Sequence, residues 1–257
     1  MRKNLISSIL ILITIFLSSC SSKQKQNKLQ AKHYLSLGTS YLSRGEYPQA
    51  LSALLKAVEL NPDSAEAENH LGLAFYVREK YQDAEKHILK AIKLKPVYTD
   101  ARNNLGRVYI QTEKYDLAIK QLKIAIEDLE YPYPEKSLSN LGLAYLKSKD
   151  YETAKKYLKK SLKIRRLNCH TYNYFARSLY ETAKYHKANQ AYKTTIMLCT
   201  RQNFPNPIYY SALSHLKVGH REQAIAKLNE VRELYPNTPF ASEAEKMLEI
   251  INKEMSQ

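Results

Sequence analysis

An all-α array of helical hairpins is the fold this sequence predicts, and three observations predict it. Gly38, Gly72 and Gly106 recur at 34-residue steps, and Gly142 follows after 36. Each glycine sits in one frame, Leu37-Gly38…Tyr41, Leu71-Gly72…Phe75, Leu105-Gly106…Tyr109 and Leu141-Gly142…Tyr145. Twelve residues beyond each comes an alanine (Ala50, Ala84, Ala118, Ala154), and four beyond that an aliphatic residue (Leu54, Ile88, Leu122, Leu158). Small residues at fixed spacing let two helices cross closely. Large apolar residues fill the space between them, and each period buries its remaining face on the next.

Taken in order, the units are 31–64, 65–98, 99–134, 135–168, a divergent fifth at 169–204 and a sixth at 205–238. Pro62 and Pro96 close the first two. The last two units lose the glycine but keep the twelve-residue alanine step in Ala176/Ala188 and Ala212/Ala224. Residues 240–254, within a terminal segment 239–257, read as a cap helix that covers the open end of the array. The helix-turn-helix period resembles the tetratricopeptide repeat (TPR). That resemblance implies a right-handed superhelix of about six repeats, with the first helix of each pair lining an inner groove. Gly45 and Gly219 fall at turns within pairs. Tyr47, Tyr81, Tyr115, Tyr151 and Tyr185 recur near the start of each second helix, where periodic aromatics predict a buried packing face.

The first residues predict an address. Arg2 and Lys3 precede an apolar run from Leu5 to Leu17, which ends at Leu17-Ser18-Ser19-Cys20. A positive start, a short apolar core and a small-residue cleavage site describe an export signal over residues 1–19. The run, about 13 residues, is shorter than the roughly 20 a spanning helix needs. The ending resembles the bacterial lipoprotein signal, which implies cleavage before Cys20 and a covalent lipid on it. Ser21, where inner-membrane lipoproteins usually carry Asp, implies an outer-membrane protein facing the periplasm. Residues 20–30 are then a polar tether, and 31–238 the array.

The charge is +15, or +13 without Arg2 and Lys3. Export argues against nucleic acid as the partner, and the lysines read as scattered over many helical faces, a solvated basic surface able to lean on anionic lipid or glycan. Nothing points to catalysis. All six glycines are used by crossings and turns, which leaves no phosphate-cradling loop. The seven histidines share no repeat position and form no metal-ligand spacing, so no metal or other cofactor and no small-molecule substrate is expected.

With Cys20 assigned to the lipid, Cys169 and Cys199 remain. The repeat frame puts Cys169 at the start of one helix and Cys199 near the end of its antiparallel partner. An oxidising compartment then favours a disulfide closing a loop of about 30 residues. The alternative is two reduced, buried cysteines acting as small apolar residues.

A partner-binding groove is expected at the second, fifth, sixth, ninth and twelfth residues of each unit. In the central units these include Asn69, His70 and Tyr76, then Asn103, Asn104, Arg107 and Ile110. Asn140 and Leu146 follow, then Asn173, Tyr174, Arg177 and Tyr180. Asparagine amides suit an extended peptide, since each can bond a backbone carbonyl and N–H together. Tyrosine adds apolar area with a polar tip. Some repeats of this class clamp a C-terminal carboxylate with paired Lys and Asn; here those positions hold Leu35, Thr39 and His70, so a helix or strand segment is the expected guest.

Six such repeats behind a lipoprotein signal resemble the type IV pilus pilotins of the PilF/PilW/Tgl group. The most specific stretch is Tyr131-Pro132-Tyr133-Pro134, leading into Asn140-Leu141-Gly142-Leu143 and Ala154-Lys155-Lys156-Tyr157-Leu158. Leu234-Tyr235-Pro236 also fits. The resemblance implies a scaffold that binds pilus secretin subunits and promotes their outer-membrane localisation and multimer assembly. Two other repeat-bearing lipoprotein types stay open: adaptors of β-barrel assembly (BamD-like) and of peptidoglycan enzymes (NlpI-like).

Overall fold

The computed structural model describes the backbone of residues 2–200 and 204–255 and the side chains of residues 23–200 and 204–254. Among the described residues there are thirteen α-helices and no strand. They are α1 (Arg2–Arg44), α2 (Tyr47–Leu60), α3 (Ala65–Val77), α4 (Tyr81–Leu94), α5 (Thr99–Gln111), α6 (Tyr115–Ile126) and α7 (Pro134–Lys147). They continue as α8 (Tyr151–Ile164), α9 (Cys169–Glu181), α10 (Tyr185–Leu198), α11 (Asn206–Lys217), α12 (Arg221–Leu234) and α13 (Pro239–Met255). The helices form two compact units, one ending at Thr112 and one beginning at Glu113.

Within each unit the hairpins follow from the small-residue frame. A Cβ on Gly38 would lie 2.5 Å from the Leu54 Cγ, one on Gly72 2.5 Å from the Ile88 Cγ1, and one on Gly142 2.5 Å from the Leu158 Cγ. Only hydrogen fits there, and the facing aliphatic residue is fully buried in all three cases. In the first unit Leu35, Leu54, Ala57, Ala67, Leu71 and Ala74 form one continuous cluster joining the first hairpin to the second. In the second unit α13 lays Ala244, Leu248 and Ile251 on Ile208, Ala212, Leu228 and Val231, closing the last hairpin. The cap helix expected at 240–254 is therefore one amphipathic face over a hydrophobic end.

The turn within each hairpin repeats one backbone device. Gly45, Glu79, Glu113, Lys149, Ala183 and Gly219 all have positive φ, between 55° and 79°, each two residues before the next helix. In the first hairpin the Glu46 N–H donates to the Tyr41 carbonyl and the Gly45 N–H to that of Leu42. This Schellman ending satisfies carbonyls that the helix leaves unpaired. Starts are capped individually: Ser64, Asp150 and Asn168 side chains accept from the N–H of Ala67, Thr153 and Thr171.

Several expectations are corrected. The segment 20–30 lies within α1, which runs unbroken through it; no Pro or Gly interrupts the chain between Cys20 and Leu37. Pro134 opens α7 instead of ending the third unit, and α11 starts at Asn206. The recurrent tyrosines do begin the second helices, yet they are half-exposed, with Tyr47 at 39%. Tyr81 and Tyr185 pack their rings at 5.8 and 5.5 Å from Tyr76 and Tyr180, over the hairpin turn and not inside it. The side chain of Cys20, the expected lipid site, lies outside the described residues.

Candidate functional site

Within each unit the first helices of successive hairpins lie side by side, and this decides which repeat positions are accessible. The fifth position is buried: Asn69, Asn103, Ser139 and Asn173 are all nearly inaccessible. The sixth is half-buried throughout, at His70, Asn104, Asn140, Tyr174 and Tyr210. The groove expectation therefore needs correcting for Asn69, Asn103 and Asn173, whose side chains are buried and closed to a guest. Ile110 is likewise buried, while Arg107, Arg177, Tyr76 and Tyr180 at the ninth and twelfth positions stay partly open.

On the first unit the face runs over α3 and α5. Asn104 Nδ2 donates to Asn69 Oδ1 at 3.1 Å, and Asn69 Nδ2 lies 3.5 Å from the Tyr98 hydroxyl. The Arg107 guanidinium lies 4.5 Å from the centre of the Tyr76 ring, and its Nη1 is 3.5 Å from Asn104 Oδ1. Gln111 Nε2 closes the set on the Tyr76 hydroxyl at 3.4 Å. The amides thus form a ladder with one another. Burial, helped by the acidic Glu66 and Asp100, pushes the Tyr98 phenol up to about 12. Burial also lowers the His70 pKa, against the pull of Glu66 and Asp100, and its Nδ1 has no hydrogen-bond partner. Under this face Glu68, fully buried, binds His87 Nδ1 at 2.6 Å and Lys90 Nζ at 2.5 Å.

On the second unit the face runs over α9 and α11 and is aromatic. The Arg177 guanidinium lies 3.7 Å above the Tyr210 ring while its Nε donates to Glu181 at 2.6 Å. Tyr180 meets Tyr210 edge-on at 5.8 Å, and Tyr192 stacks on it from below at 6.5 Å. Tyr192 is fully buried, its hydroxyl unpartnered, and burial raises its pKa well above the usual value. Asn173 Oδ1 is also buried without a partner. Behind this face the disulfide Cys169–Cys199 joins the start of α9 to the residue after α10, with Cα atoms 5.6 Å apart. The sequence reading stopped before Tyr210, although Tyr210 holds the sixth position of the last unit, the place of Asn104 and Asn140.

A cationic side group with an open aromatic face and a polar rim can hold a peptide by its backbone and by carboxylate or aromatic side chains. Among the described residues no cluster of three or more His, Cys, Asp or Glu is placed to hold a metal ion.

Tetratricopeptide-repeat models match residues 35–99, 99–167 and 208–238. Among solved structures, that of Pseudomonas aeruginosa PilF is 26% identical, superposes with a TM-score of 0.74, and covers 86% of this chain and 99% of its own. PilW, a widely conserved type IV pilus biogenesis factor, superposes at 0.76 with 17% identity, over 85% of this chain and 98% of PilW. YrrB, a repeat protein with an unusual peptide-binding site, superposes at 0.58 with 19% identity, over 77% of this chain and all of its own. No curated protein sequence matches significantly.

Proposed function

From the premise that the chain belongs to the tetratricopeptide-repeat proteins, we propose that it is an outer-membrane lipoprotein of type IV pilus biogenesis that binds secretin subunits. The observation that carries this reading is the likeness to PilF over nearly the whole of both chains. Repeat proteins of this fold are typically non-catalytic interaction scaffolds. In this reading the lipid on Cys20 supplies the membrane address. The half-open sixth, ninth and twelfth positions then hold a secretin segment until the ring closes. Arg177 on Tyr210 is the anchor, because a stacked guanidinium is held in place before a guest arrives, and less entropy is lost on binding.

The test is the level of heat- and detergent-resistant secretin multimers in outer membranes with and without the gene. Multimers should vanish while secretin monomer and other outer-membrane barrels persist. Unchanged multimers would sink the reading and turn attention to cell-wall enzymes as partners.

A further inference from the structure

The chain's positive charge is concentrated in one segment, not scattered evenly over the helical faces. Residues 151–199 contain eleven Lys and Arg against two acids, Glu152 and Glu181, so +9 of the chain's +15 falls in this segment. The crowding is on α8 and α10, the second helices of two successive hairpins. These helices back onto the hairpins on the side away from the α9 face described above.

The outward side of α8 carries Lys156, Lys159, Lys160 and Lys163, all exposed, with Glu152 its single acid. Glu152 is already taken by Lys155 at 2.5 Å and Lys184 at 3.4 Å. Lys156, Lys159 and Lys187 make no ion pair among the described residues. Between α8 and α10, Lys155, Lys156, Lys159, Lys184 and Lys187, with Glu152 among them, wall a cavity of about 480 Å³ that Phe175 and Leu179 also line. Such a hollow offers ammonium groups around an apolar base, the complement of a phosphate carried on a lipid.

Past the end of α8 the cations continue in Arg165 and Arg166, now beside exposed aliphatic residues. Ile164 is 55% and Leu167 78% accessible. From Lys155 to Lys163 the helix presents cations along about 12 Å, and Arg165 and Arg166 extend the row. That length suits an extended anionic surface better than a single acidic side chain. Apolar tips beside it suit the boundary between headgroup and acyl chain.

We infer that the α8–α10 face docks on an anionic bilayer, with lipid phosphates entering the lysine-walled cavity and Ile164 and Leu167 seated among the headgroups. This is independent of the secretin reading, since it uses neither the α3–α5 nor the α9–α11 face. It also leaves the α9–α11 face free while the protein rests on the membrane.

The experiment is lysine footprinting of the full chain reconstituted in vesicles, with brief acetylation read residue by residue in a mass spectrometer. Lys156, Lys159 and Lys163 should react several-fold more slowly in phosphatidylglycerol-containing vesicles than in phosphatidylcholine vesicles. Lys56 on the first unit should not change, and protection should fade at about 1 M salt, where screening shortens to roughly 3 Å. Equal rates in both vesicles would overturn the inference. So would equal protection by inorganic phosphate alone, which would make the cavity a site for the free ion. Protection by poly-glutamate but not by anionic vesicles would assign the face to an acidic protein instead.

Discussion

The α3–α5 face and the α9–α11 face are built from the same repeat positions and reach opposite chemical states. On the first unit the ladder groups satisfy one another, Asn104 on Asn69 and Gln111 on Tyr76, a finished ladder with the unpartnered His70 Nδ1 beside it. On the second the sixth and twelfth positions hold tyrosines, Arg177 lies on Tyr210, and two buried polar atoms have no partner. A finished ladder contributes to stability and has little left to offer a guest, whereas unsatisfied groups cost stability and leave binding capacity in reserve. The disulfide stands behind the second face only, and offsets part of that cost.

The comparison can be broken most directly at the cross-link. Replacing Cys169 and Cys199 by serine should cost about 3 kcal/mol, as a loop of some 30 residues is released in the unfolded chain. Hydrogen exchange should quicken in α9 and α10 and stay slow in α3 and α4. If α3 and α4 loosen equally, the two units do not hold their stability separately.

A pair of single substitutions sharpens the contrast. Asn104→Ala should cost about 2 kcal/mol, because it strands the buried Asn69 carbonyl oxygen. Arg177→Met keeps an apolar stem over Tyr210 but loses both the cation on the ring and the bond to Glu181, so about 1 kcal/mol should disappear in urea unfolding. Equal losses would mean that the aromatic face is as fully satisfied as the ladder.

The smallest effect is acid sensitivity. Burial lowers the folded pKa of both His70 and His215 below the ordinary 6.5. Their contribution is therefore present above pH 6.5 and is lost as pH falls from there through the folded values, where the unfolded chain binds more protons. His70→Gln should reduce the drop in Tm between about pH 7.5 and 5, and leave the part due to His215. No change in that drop would show that the His70 site opens before it protonates.

Much of this was legible in the sequence because the repeat is a packing rule. Gly72 and Ile88 face each other for want of room, so their spacing reports a real crossing, and the frame carries the helix starts with it. The non-glycine turns were not legible. Glu79, Lys149 and Ala183 take the left-handed conformation with no local signal, at a cost of roughly 1–2 kcal/mol each. The asparagines misled for a different reason. A periodic polar residue looks the same whether it faces a guest or the neighbouring helix, and only the helix-to-helix packing put the fifth position inside. The unbroken α1 was readable from the absence of breakers, but the expected processing site drew the boundary elsewhere.

The recurring turn has a consequence for how such a chain can vary. The left-handed residue always stands two positions before the second helix, so that edge of each hairpin has a fixed length. The connections between hairpins are four residues in most places and seven at 127–133 and 199–205, which is where the 36-residue steps arise. One rim keeps count and the other absorbs slack. A tag, probe or foreign loop grafted beside Leu129, almost wholly exposed, should ride on the slack rim without disturbing the helices on either side.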